Sequence, residues 1–139
     1  MPDTAVCYAL DRDAARPLFA ARTPEAVETV VTAIVASAAS RIDLGAQAIA
    51  LHRWLTGGDD PAAGDYPLNH AVLGGKPLPA AEPLIVILKR PDMAGHVATE
   101  LAAFAGEDAT LAPLLAQLRA FYQAAATAGQ AVILVRNSA

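Results

Sequence analysis

The stretch IDLGAQAIALHRWLTGG, residues 42–58, decides how this chain is read. Asp43 is placed to cap a helix, because its carboxylate can accept from the free amides of a first turn at the positive end of the helix dipole. Leu44, Ala48, Leu51 and Leu55 then recur at helical spacing along a narrow arc, and Gly57 offers the left-handed residue that closes such helices. The spacing predicts a helix over residues 43–56 with that arc in the core. His52 and Trp54 flank the arc on opposite sides, and Arg53 points away from it. A second stretch, YPLNHAVLGG at residues 66–75, reads as a short helical turn over residues 67–73 followed by the pair Gly74-Gly75. The Gly-, Asp- and Pro-rich residues 57–65 between them must be loop.

Working outward, residues 83–89 (PLIVILK) and 131–136 (AVILVR) are short and almost wholly apolar. Runs of this kind are strands buried on both faces, and the two are expected to lie adjacent or nearly so. Residues 4–10 (TAVCYAL) read as a third strand. Helices are predicted over residues 12–21, with Pro17 as the weak point, and over 24–40, where Thr23-Pro24-Glu25 makes a strong start. A further helix follows Pro91-Asp92, carries Met93, Val97, Leu101 and Phe104, and ends by Gly106. The cleanest amphipathic helix covers residues 109–128, with Gly129 as its stop. The fold class that follows is α+β (mixed α/β). It is a single small domain over residues 1–139, with about three strands in one sheet packed against five or six helices.

Composition narrows the function. A chain of 139 residues suits one domain and can bury a core without a metal or disulfide. The net charge is −4 and no basic cluster exists, which argues against nucleic acid as a partner. The single cysteine, Cys7, forbids an intrachain disulfide and fits a reducing cytoplasm. The opening residues MPDTAVCYAL lack the basic start and long apolar run of a signal peptide. No run reaches the roughly 20 apolar residues of a membrane span. The expectation is a soluble cytoplasmic protein.

Four pieces carry a family resemblance: the DL at residues 43–44, LHRWLTG at 51–57, PLNHAVLGG at 67–75 and LRAFYQAAATAGQAVILV at 118–135. In order and spacing the chain resembles the YfbM-like bacterial family, as a shortened and divergent member. Ala46 and Ala48 stand where members usually carry a Lys-Trp pair, and residues 80–90 (AAEPLIVILKR) lack the glycines that members have there. The resemblance covers roughly residues 42–135. It implies a fold and no reaction.

No residue pattern names a chemistry. His52, His70 and His96 fit no metal motif, so no metal and no cofactor are expected. Gly74-Gly75-Lys76 lacks the spacing of a phosphate loop, and a helix stop is the plainer role for the glycines. Asp59, Asp60 and Asp65 do not have calcium-loop spacing and read as a solvated acidic loop. Trp54 reads as a core-edge residue, with a partner anchor as the alternative. The expected function is a non-enzymatic, cytoplasmic protein-binding module of inhibitor or immunity type. The alternative is a small-molecule or enzymatic site in a cleft between residues 43–56 and 66–75. The pocket or partner-binding residues are then His52, Trp54, His70, Gly74 and Gly75, with residues 57–82 an ordered lid and 58–65 its mobile tip. Strand order, oligomeric state and the identity of any partner are not set by the sequence.

Overall fold

A computed structural model of the chain describes residues 4–38 and 40–137. Five strands run in the order β2 (Arg41–Asp43), β1 (Thr4–Leu10), β5 (Ala131–Asn137), β4 (Leu84–Lys89), β3 (Lys76–Pro77), each antiparallel to its neighbours. The expected three strands are the centre of this sheet, and β4 does lie beside β5. The count of three was too low, because the two edge strands are too short to show a period. β2 has one inward residue, Ile42, and β3 has none. Pro77 sits at the sheet edge, where a missing amide costs nothing.

Helices cover both faces. On one side α1 (Arg12–Ala20) and α2 (Pro24–Ser37) pack Ala15, Leu18, Val27, Val31 and Ile34 against Tyr8, Leu10, Val86, Leu88 and Ile133. On the other, α3 (Ala48–Thr56), α4 (Pro91–Ala103) and α5 (Ala112–Ala128) pack against Ala5, Cys7, Ala9, Ile87, Val132 and Leu134. Burial on both faces is why the central strands carry no polar alternation. The small residues Ala5, Cys7 and Ala9 on the second face let its helices come close. Among the described residues no helix is long and apolar enough to cross a membrane.

Helix ends differ from expectation in three places. The helix expected from Asp43 begins later. Ile42 and Asp43 belong to β2, Gly45–Gln47 form a 3-10 turn, and α3 starts at Ala48. Asp43 still accepts a backbone proton, but from Gly45 N at 2.8 Å, and so makes a turn in place of a cap. The second helix stops at Ser37, short of the expected residue 40, with Ala39 outside the described residues. The last long helix starts at Ala112, because Asp108 accepts from Thr110 N at 2.9 Å and Leu111 N at 3.0 Å and holds residues 108–111 as a turn. Both glycine stops are as read, with left-handed φ of 89° at Gly57 and 66° at Gly129.

Candidate functional site

Residues 57–82 form the long connection between α3 and β4, and they carry one 3-10 turn, Leu68–His70, and the short β3. Ordinary connections are far shorter, so something must hold this one. Its first half is fixed from α3. His52 is fully buried, and its Nε2–H donates to the Asp60 carbonyl at 2.8 Å. Thr56 Oγ1 donates to the His52 carbonyl at 2.8 Å and lies 3.4 Å from Gly58 N, which donates to it. Arg53 grips Asp59 through Nε and, at 2.8 Å, through Nη2.

The second half is fixed from beneath by two buried polar side chains on other elements. Lys89, the last residue of β4, is fully buried and donates from Nζ to the Val72 carbonyl at 2.8 Å. Tyr122 of α5 donates its hydroxyl to the Ala71 carbonyl at 2.7 Å. From the side, the Tyr66 hydroxyl and His96 Nδ1 on α4 share a hydrogen bond at 2.7 Å. The irregular backbone thus finds in core side chains the partners that a regular ladder would supply.

Between the two halves lies a groove of about 370 Å³. Asp60, Ala62, Asn69, His70, Gly74 and Gly75 form its walls, and Leu73, Pro77 and Ile87 add apolar surface. Gly74 is required by a close approach, since a Cβ there would sit 2.0 Å from the Asn69 carbonyl oxygen. Gly75 is required by its φ of 141°.

Of the five residues singled out in the sequence, His70, Gly74 and Gly75 share this groove. His52 does not line it. It lies behind the wall and meets the groove only through the Asp60 carbonyl. Trp54 is elsewhere, packed edge-on against Phe104 at 5.3 Å between ring centroids. Lys89 and Tyr122 were missed. The signal for Lys89 was its phase, since it falls two residues after Ile87 and four after Ile85 and so must face the core.

Electrostatics divide these groups. Burial pushes the Lys89 ammonium down to about 8, with the Cys7 thiol acting weakly against it. Burial raises Cys7 to about 11 and takes the Tyr122 phenol well above its usual value. His52 is held below 6.5, first by desolvation, against the Asp60 carbonyl, and then by the charge of Lys89. Its Nδ1 is buried with no hydrogen-bond partner among the described residues, so protonating that atom would strand a charge. His70 is lowered by desolvation and by Lys89. Its Nδ1–H donates to Asn69 Oδ1 at 2.6 Å, which leaves Nε2 as the acceptor atom of a neutral ring. Among the described residues there is no group of three or more His, Cys, Asp and Glu able to hold a metal ion.

No protein-family model matches the sequence, and no curated protein matches it. Among solved structures the chain matches the crystal structure of a protein of unknown function, YfbM from Escherichia coli. The match has a TM-score of 0.69 at 17% identity, over 96% of this chain and 99% of that one. The chain therefore has a YfbM-like fold, as the resemblance in residues 42–135 implied. At that identity the likeness speaks to the fold alone.

Proposed function

We propose that this is a non-enzymatic domain of the bacterial cytoplasm that binds another protein through the groove and the rim around Tyr66. The observation that carries the reading is Tyr66 itself. It is 47% exposed, yet its ring stands edge-on to both His70 (5.0 Å) and His96 (5.8 Å), and its hydroxyl is tied to His96. A rigid, exposed tyrosine beside an apolar groove is the kind of anchor that dominates protein interfaces, because little rotamer entropy remains to be lost. A size of 139 residues and a net charge of −4 suit an inhibitor or immunity-type partner of a more basic protein.

The test is site-specific photocrosslinking in cells. A photoreactive amino acid at Ala62, on the groove wall, should give a discrete protein adduct. The same probe at Ala36, exposed on α2 across the sheet, should not. Tyr66→Ala should remove the Ala62 adduct. Equal adducts from both positions, or none from Ala62, would refute the reading. A second reading, a small molecule held in the groove, is favoured by the neutral, Asn69-oriented imidazole of His70. It predicts that the His70 ring resonances move with a low-mass cell extract and that Ala62 captures no protein.

A further inference from the structure

A second cavity of about 370 Å³ lies at the opposite face of the sheet from α3, where β1 ends and β5 begins. Leu10 and Ala131, paired across the two strands, line it together with Ala15. All three are buried, at 3%, 1% and 2% exposure, so they form a fixed apolar floor. Pro91 and Gly129 also line it, and Phe19, 47% exposed, adds apolar surface. The volume is at the low end of the range for small-molecule sites.

Among the described residues, the charged side chains that line this cavity are Arg12 and Arg16. They are four apart on α1 and so lie on one helix face, one turn from each other. Arg12 makes no ion pair or side-chain hydrogen bond among the described residues. Arg16 meets Asp13 at 3.4 Å, with both side chains largely in water, at 71% and 92% exposure. Such a contact is worth little and is readily exchanged for a better acceptor. Two further carboxylates adjoin lining residues in sequence and are not themselves in the lining: Asp11 accepts from Gln130 Nε2 at 2.9 Å, and Asp92 meets Arg90 at 3.5 Å. An apolar floor under two guanidiniums, one of them without a partner, asks for a ligand with an apolar body and a planar anion at one end.

We propose that this cavity binds a small apolar carboxylic acid, its chain or ring over Leu10, Ala15 and Ala131 and its carboxylate held by Arg12 and Arg16. Guanidinium matches carboxylate in a forked pair of hydrogen bonds, and two arginines one turn apart can share the two oxygens. The site is separate from the groove near His70, so it stands whether or not a protein partner binds there.

The experiment titrates the full chain with octanoate and follows backbone amide resonances. Shifts should centre on Leu10, Ala15, Phe19 and Ala131. Octanol, which keeps the chain and loses the charge, and acetate, which keeps the charge and loses the chain, should each bind roughly tenfold more weakly or worse. Arg12→Gln with Arg16→Gln should give a similar loss while the remaining spectrum stays folded, since both residues are at the surface. Arg12→Lys should recover only part, because an ammonium does not fork. Octanol binding as well as octanoate would overturn the proposal, as would octanoate shifts centred on His70 or undiminished binding by the folded double variant.

Discussion

Moving the pH across the titration of Lys89 tests the buried cluster quantitatively. Its ordinary value is 10.5 and burial lowers it to about 8, a separation that corresponds to about 3 kcal/mol. Between those two values the unfolded chain holds a proton that the folded chain has released. Stability therefore rises with pH through that window and is lost again as pH falls toward 8. Cys7 acts in the opposite sense. Its thiol moves from 9.0 to about 11, so above pH 9 the folded chain keeps a proton that the unfolded chain has lost, and stability falls. The two effects combine into a distinct shape. Urea unfolding followed by circular dichroism should show stability rising by about 1 kcal/mol from pH 8 to 9, then levelling to about 10.5 as the thiol offsets the amine. Cys7→Ala should let the rise continue to about pH 10, where the buried Tyr122 phenol, held well above its usual value, begins to oppose it. Lys89→Met should abolish the rise and leave the decline above pH 9 that the buried Cys7 thiol and Tyr122 phenol both cause. A wild-type profile that is flat or falling from pH 8 to 9, or a Lys89→Met profile that still rises, would refute the assignment.

Two further perturbations read other parts of the structure. Leu115→Ala and Leu118→Ala empty buried sites on α5, at 3% and 0% exposure, and each should cost about 2–5 kcal/mol in denaturant melts. A loss below about 1 kcal/mol would mean the wrong helix face was assigned to the core. His52→Ala removes the donor to the Asp60 carbonyl and should cost about 1–3 kcal/mol. Because His52 is held below 6.5 when folded, the unfolded chain binds its proton first on acidification, so wild-type stability should drop as pH falls below 6.5. That drop should be shallower in the variant, with His70 supplying the remainder in the same sense; equal slopes would place the acid sensitivity elsewhere.

The sheet centre was legible because burial on both faces leaves a plain mark. PLIVILK and AVILVR have no polar alternation, and the structure puts helices over both sides of each. Helix stops at Gly57 and Gly129 were legible because a left-handed residue has few substitutes. Starts were less so. Asp43 and Asp108 both bind backbone amides, but a short acidic side chain serves a turn as well as a cap, and only the tertiary setting chooses. In residues 42–44 the choice fell to β1, which takes Ile42 into the sheet and whose Ala5 carbonyl accepts from Leu44 N at 2.8 Å. The sequence grouped His70, Gly74 and Gly75 but read both glycines as a helix stop; the close approach to the Asn69 carbonyl that requires Gly74 comes from tertiary packing and leaves no local mark.

What the sequence concealed is how that groove is held, and the reason is that the supports come from distant elements. His52 reaches the Asp60 carbonyl from α3, Lys89 reaches Val72 from β4, and Tyr122 reaches Ala71 from α5, 51 residues along the chain. Each was read, or passed over, within its own local pattern: a flanking histidine, the polar end of a strand, an aromatic on a helix face. Their common role appears only when the three acceptors prove to be carbonyls of one irregular segment. A backbone carbonyl shut away from water must be satisfied, and residues 60–72 have too little regular structure to satisfy their own. The core therefore supplies donors, and in doing so it fixes the wall that carries Asn69, His70 and Gly74. Losing one donor should shift that wall without touching any residue that lines the groove. Polar residues in this core are thus positioned to act on the groove wall, through the loop carbonyls that they hold.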